Sequence, residues 1–349
     1  MKVALCHHYS LTFHGGGERF LIEVAKQLKK RGHEVTIYAL PFGRRRINID
    51  EFLQGVNYNE NIIHNINDSD VAYFIYAPIV HHLFIGKCPK IAAIHAFVFA
   101  NELQHPEIRF MNYVDYVKEF GFSKFISRLY FNKSENKELR NFNAIHVINK
   151  QALKIFFKNK HVYYVPNWID TSLYKPVEEK NQKFSALFTG RKTKGFSFFV
   201  KIAEILKNKE IDFLAIGPDL ESVNNVKNLG FITDVKELVN LYSRVHILVY
   251  ASKIDVFPLT LLEASACKVP IVALPTEAVK GLDLPLFYAT SIQEFAQIIC
   301  QLQHMWKTRK DDFNKIANNM REQVIKYDVN NVFPKFLEML REVAISSAK

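Results

Sequence analysis

The chain opens on an apolar run, KVALCHHY, which a glycine triplet and an amphipathic pattern, ERFLIEVAKQLKKR, separate from a second apolar run, HEVTIYAL. A strand that returns parallel to its predecessor needs a crossover of a dozen or more residues, and this spacing supplies one. Gly32, directly after the last periodic residue, stops the helix. Strand, helix, strand is the opening of a parallel α/β sheet, and apolar strand candidates at 71–76, 91–95, 144–148 and 162–165 extend it. A second alternation begins at FSALFTG (184–190). It runs through FSFFVKIAEILKN, IDFLAIG, a helix after Thr233, HILVYAS, a helix started by Pro258 and PIVAL. Between the two series lies PNWIDTSLYKPVEEKNQK, whose Pro and Lys content predicts a hinge near 166–183. Ser291 with Glu294 predicts a capping box, and VFPKFLEMLREV a terminal helix.

At 349 residues and 48% hydrophobic content, the chain is long and apolar enough for two cored domains and too apolar for disorder as its main state. No run approaches the roughly 20 apolar residues of a membrane helix. Cys6, Cys88, Cys267 and Cys300 show neither metal-ligand spacing nor a disulfide framework. Together with a strand pattern starting at Met1 and no signal peptide, this predicts a cytoplasmic protein. The net charge of +11 is uneven: residues 1–166 carry +8 and residues 167–349 carry +3. Within the first part, Arg44, Arg45 and Arg46 form one basic patch, and Lys118, Lys124, Arg128 and Lys133 flank an amphipathic stretch at 110–130. Packing against the first domain, or contact with an acceptor or a membrane surface, would each explain that stretch.

The residues that could carry chemistry cluster at turns. In DVFPLTLLEASACKVP (255–270), Asp255 and Glu263 lie eight positions apart across the start of the Pro258 helix. There Phe257, Pro258 and Leu259 begin a helix whose first amides lack intrahelical partners and face an anion readily. Gly15, Gly16 and Gly17 open the first helix, as an anion cradle or as a tight turn. A dinucleotide fingerprint fails there, since the third glycine position is Phe20. TGRKTKG sets Arg191, Lys192 and Lys194 between a strand and a helix, where a diphosphate leaving group needs positive charge. His95 ends the strand IAAI, an edge that faces the ligand crevice in an open α/β sheet. His7-His8 and His81-His82 would point apart on strands with no carboxylate spaced for them, so no metal site is expected. Asp68-Ser69-Asp70 precedes a strand and reads as a turn cap rather than a metal-nucleotide ligand pair.

GGGER with LxxxGHEV, YYVPNWIDTSLYKP, TGRKTKG and above all DVFPLTLLEASACKVPIVA resemble the retaining family 4 glycosyltransferases. The resemblance implies an α/β fold of two Rossmann-like domains (GT-B) facing across a cleft, with the C-terminal helix crossing back to the first. It implies an acceptor domain at 1–166 joined by 329–349, and a nucleotide-sugar donor domain at 167–328. It further implies that Glu263 accepts the ribose hydroxyls, that Asp255, standing where the family has Glu, touches the transferred sugar, and that His95 lies near sugar and acceptor. Arg191 with Lys194 or Lys192 would meet the phosphates, and the backbone of Ile232 the base. The donor is then a UDP- or GDP-sugar, the acceptor a glycan, lipid or protein, with peripheral contact at the inner face of a membrane. No cofactor, metal or specific nucleic acid is expected. The rival reading is a GT-B-like protein without catalysis that binds nucleic acid or an anionic surface through its basic first half.

Overall fold

The computed structural model describes the chain apart from residues 14–15, 44–47, 76–79, 96–113, 115–116, 119–120, 124, 127–137, 151–152, 154–160, 178, 219, 254 and 347–349. It divides into two units, Met1–Asn167 with Phe333–Lys349, and Trp168–Val332.

Unit 1 is built on strands β1 (Lys2–His7), β2 (Glu34–Ala39), β3 (Asn57–Glu60), β5 (Val71–Ile75), β7 (Lys90–Ile94), β8 (Ala144–Val147) and β9 (Val162–Tyr164), with β4 (His64–Asn65) and β6 (Phe84–Ile85) forming a separate ladder. The main sheet is wholly parallel in the order β3-β2-β1-β5-β7-β8-β9. Helix α1 (Gly16–Lys30) buries Phe20, Leu21, Val24, Ala25 and Leu28, a stripe with helical spacing. It ends as its sequence directs: Gly32 takes a left-handed φ of 77°, and the His33 amide reaches back to the Leu28 carbonyl at 3.1 Å. A short helix, α2 (Asp50–Leu53), precedes β3.

Unit 2 holds β10 (Phe184–Thr189), α3 (Phe196–Ile205), β11 (Ile211–Ile216), β12 (Lys227–Asn228), α4 (Val235–Arg244), β13 (Ile247–Tyr250), α5 (Leu259–Ala266), β14 (Ile271–Ala273), α6 (Glu277–Lys280), β15 (Phe287–Tyr288), α7 (Ile292–Thr308) and α8 (Lys310–Val324). Its parallel sheet runs β12-β11-β10-β13-β14-β15. Both faces are covered. Phe184, Phe188, Phe199 and Phe295 pack on one, and Leu187, Leu248, Leu261 and Tyr242 on the other, which is why these strands read as unbroken apolar runs. Ser291 caps α7 by accepting from the Glu294 amide at 3.2 Å. The last helix, α9 (Val329–Ser346), begins in unit 2, and from Phe333 onward its residues belong to unit 1.

Candidate functional site

In unit 2 the strand order reverses between β10 and β13, and in open parallel sheets ligands bind beyond the carboxyl ends of the strands at such a point. The segments that leave these two ends touch. Gly195 has φ +93°, and a Cβ there would lie 2.5 Å from the carbonyl oxygen of Ala251, so only glycine lets the loop after β10 settle on the end of β13. This approach carries Lys194 Nζ to 2.5 Å from Asp255 Oδ1, while the Tyr250 hydroxyl donates to Oδ2. The Asp255 side chain is 16% exposed and that of Lys194 37%. Burial by itself pushes the Asp255 carboxyl up, but the charge and hydrogen bond of Lys194, with Tyr250 and Ser252, outweigh it and hold it below the usual carboxylate range. Lys192 turns outward instead, 3.6 Å from Glu221, so Lys194 is the lysine brought to the acid. Arg191, exposed and extended, immediately precedes the lysine turn.

Pro258 caps α5 from outside, where the sequence suggested it as the first helical residue. Its φ of −79° and ψ of 94° are extended, and its carbonyl accepts from the Leu261 amide. One turn on, Glu263 is buried at 6% exposure: the hydroxyl of Tyr174 donates to Oε1 at 3.3 Å and that of Tyr242 to Oε2 at 3.1 Å. Burial, and then the Glu263 charge, push the Tyr242 phenol up. Ile232, Phe257 and Leu259 are partly buried against the same core. A broad concave surface in unit 2 lies away from these groups, lined by Lys183, Lys227, Glu237 and Arg244 together with Ile232; neither Lys194, Asp255 nor Glu263 borders it.

In unit 1 the order reverses between β1 and β5. His7, at the end of β1, receives the Tyr9 amide on Nδ1 and places Nε2 2.9 Å from Glu18 Oε1 in the first turn of α1, without hydrogen-bond geometry. Burial, with His7 alongside, pulls His8 down to about 3. Gly16 is the exposed first residue of α1, so Gly16 and Gly17 belong to the helix rather than to a turn ahead of it. His95 is held by the Tyr73 hydroxyl at 2.7 Å from Nε2.

Gly15, Arg44, Arg45, Arg46, Lys124, Arg128 and Lys133 lie outside the described residues. Lys118 is exposed, as are Val114 (62%), Phe122 (65%) and Ile126 (49%). Asp70 accepts from the Lys2 amide at 2.8 Å, which ties the turn before β5 to the first residue of β1. The histidine pair at 81 and 82 departs from the sequence reading. It sits on a 3-10 turn, its rings converge at 3.8 Å, and Glu138, distant in sequence, comes within 3.0 Å of His82 and 3.7 Å of His81. One carboxylate thus serves both imidazoles, and it also accepts from Asn141 at 3.3 Å.

Residues 183–304, from β10 into α7, match the family model of glycosyl transferases group 1. No curated protein matches the chain in sequence. Solved structures match it over almost its entire length. HepE of Anabaena, solved with UDP and glucose, is 16% identical with a TM-score of 0.71, covering 97% of this chain and 99% of its own. The sucrose-phosphate synthase of Thermosynechococcus elongatus reaches 0.72 at 14% identity, over 99% and 100%. A glycosyltransferase of Rickettsia africae reaches 0.69 at 17%, over 98% of each. The fold is GT-B. In this GT-B chain, the sequence reading missed Tyr73, His146, Tyr174, Tyr242 and Tyr250. Their signal was available in part, because a polar ring inside an apolar parallel strand, as in AIHV or ILVY, needs a partner.

Proposed function

We propose that this chain is a glycosyltransferase that takes its sugar from a nucleotide-sugar, with net retention and without a metal ion. One observation carries the reading: Lys194 and Asp255 meet at the switch point of unit 2, inside the segment that matches glycosyl transferases group 1. That HepE was solved with UDP and with UDP-glucose supports a UDP-sugar as donor, with a GDP-sugar as the alternative.

Unit 2 takes the donor and unit 1 the acceptor. In the transfer the bond from the sugar's anomeric carbon to the diphosphate oxygen breaks, and the electron pair leaves on that oxygen. The acceptor hydroxyl forms the new bond from the same face and gives up its proton to the departing diphosphate oxygen. Arg191, Lys194 and the start of α5 at Phe257, Pro258 and Leu259 offset the charge that grows on the diphosphate. Lysine has three N–H donors, so Lys194 can keep its bond to Asp255 while another proton meets a phosphate oxygen. Asp255 is one methylene shorter than Glu and is bonded to Lys194, so it acts here by aiming Lys194. Glu263 accepts from the ribose, the Ile232 backbone meets the base, and in unit 1 Gly16 and His95 face the acceptor. The exposed Val114, Phe122 and Ile126 beside Lys118 favour an acceptor on an anionic membrane surface, at its cytoplasmic face. No helix among the described residues is long and apolar enough to cross a membrane, and peripheral attachment needs none.

The test is to incubate the protein with UDP-, GDP- and ADP-sugars and follow slow hydrolysis by NMR. Release of the free sugar from one donor, lost in Lys194→Ala, is the expected result. An inert panel, with no donor bound in calorimetric titration, would leave a binding protein without catalysis.

A further inference from the structure

Unit 1 contains a chain of buried hydrogen bonds that begins at the backbone and ends at His95. Its geometry follows from strand register. Tyr73 on β5 pairs with Ile91 on β7, and Ala93 on β7 pairs with His146 on β8. Side chains two apart on a strand share a face, so Ile91, Ala93 and His95 point the same way, together with Tyr73 and His146 on either side. Ala93 is the small residue between them, and across it the Tyr73 hydroxyl reaches His146 Nδ1 at 2.8 Å. The same hydroxyl lies 2.7 Å from His95 Nε2, and His146 Nε2 lies 2.8 Å from the carbonyl oxygen of Val165. Phe20 of α1 packs on His95 with ring centroids 4.6 Å apart, and Phe336 of α9 packs on Tyr73 at 5.1 Å. Tyr73 and His146 are both wholly buried.

Each proton in this chain has one consistent place. A carbonyl only accepts, so His146 carries its proton on Nε2. Burial draws His146 down to about 4, which leaves it neutral and its Nδ1 without a proton. The Tyr73 hydroxyl must then donate to Nδ1, because burial drives the phenol far above its ordinary range. With its proton spent, the Tyr73 oxygen offers lone pairs to His95, so His95 Nε2 must donate to it. Burial, with His146 and His7 close by, also holds His95 well below the usual histidine range. Its Nδ1 is therefore a bare acceptor, and no bond within the described residues reaches it. The opposite tautomer would leave a buried acceptor unpaired, which disfavours it by roughly tenfold or more.

We propose that Tyr73 and His146 are positioning residues that fix His95 as a neutral imidazole protonated on Nε2, so that Nδ1 accepts a hydrogen bond from a hydroxyl of the bound sugar or acceptor. The ligand named here rests on the glycosyltransferase reading; the tautomer does not. His95 in this state orients a hydroxyl and withdraws electron density from nothing, since it has no second proton to give. It selects ligands that present a donor at that point.

The experiment is a long-range ¹H–¹⁵N correlation spectrum of protein labelled at its 13 histidines, with the His95 signals assigned by their loss in His95→Gln. At pH 7 the wild type should show a protonated Nε2 and a bare Nδ1 on both His95 and His146. Tyr73→Phe keeps the ring and removes the relay, and should give His95 averaged shifts of mixed tautomers. In the same variant, kcat/KM for the donor should fall about tenfold or more, with KM rising where the hydroxyl belongs to the donor sugar. A wild-type His95 protonated on Nδ1, or on both nitrogens, overturns the proposal whether or not the variant folds. A folded Tyr73→Phe with the wild-type tautomer overturns the role of Tyr73. Failure of every nucleotide-sugar to react would sink the glycosyltransferase reading alone, because the spectra are recorded without ligand.

Discussion

Lys194 and Asp255 are each other's nearest opposite charge, in a setting dry enough that removing one leaves the other exposed to a desolvation cost. Because Lys194 keeps about a third of its side chain in water, Lys194→Ala should lose less than a fully buried pair would, about 1–2 kcal/mol in urea unfolding. The folded-state carboxyl of Asp255 is depressed, so its contribution to stability is complete above the unfolded carboxylate pKa of about 3.9 and disappears as pH falls through the folded value. The stability gap between wild type and Asp255→Asn should therefore be constant from neutral pH down to about 5 and close below about 4. A gap that widened in acid would show that the carboxyl is not held charged. Glu263 has a double burden. Glu263→Gln should weaken nucleotide-sugar binding by about 1.5–3 kcal/mol in calorimetric titration, the scale of hydrogen bonds to a charged acceptor. It should also lower the melting temperature, because an amide offers one acceptor oxygen to the two tyrosine hydroxyls at Tyr174 and Tyr242.

At the scale of elements, the site depends on how closely one loop can lie on its neighbouring strand. Gly195→Ala puts a Cβ within 2.5 Å of the Ala251 oxygen at a φ of +93°, and backbone cannot yield as a side chain tip does. We expect a loss of about 2–4 kcal/mol in chemical denaturation, combining the left-handed penalty with displacement of the loop from β13. The matched control is Gly16→Ala, where nothing lies within 4 Å and φ is not positive; it should be neutral or stabilising, since alanine is the better helix former. Equal effects of the two substitutions would remove the argument for close approach. In unit 1 the comparable device is Ala93, whose small side chain lets Tyr73 and His146 meet over β7.

For the whole molecule, the proposed role of Arg191 and Lys194 in offsetting the diphosphate charge without a metal ion sets a test. Donor binding and turnover should persist in excess EDTA. Loss with chelator and recovery with manganese or magnesium would turn attention to Asp68 and to the cluster of His81, His82 and Glu138, whose ligand atoms lie within 4.8 Å of one another. The exposed apolar residues near Lys118 lead to a second whole-molecule expectation: co-sedimentation with anionic vesicles that weakens at high salt and in Phe122→Ser with Lys118→Glu. A surface phenylalanine and a basic residue contribute about 1–3 kcal/mol and about 1 kcal/mol to such attachment. Equal, negligible binding to anionic and neutral vesicles would leave a soluble acceptor.

The parallel α/β character, the helix stop at Gly32, the apolar two-sided strands and the candidate acids flanking Pro258 were all legible in the sequence, because each depends on residues near one another along the chain. The sequence also offered both Lys192 and Lys194 for the phosphates without choosing. The choice of Lys194 as partner of Asp255 comes from tertiary structure, since it depends on Gly195 resting against Ala251, 56 positions away. The same holds for Glu263, whose tyrosine partners come from α4 and from the segment that follows unit 1 in sequence. It holds again for His81 and His82, whose carboxylate arrives from a separate part of the chain. His95 is the sharpest case. That it ends a strand is local information, but which of its nitrogens carries the proton is decided by a carbonyl at Val165, through two side chains on strands that only the folded sheet makes neighbours.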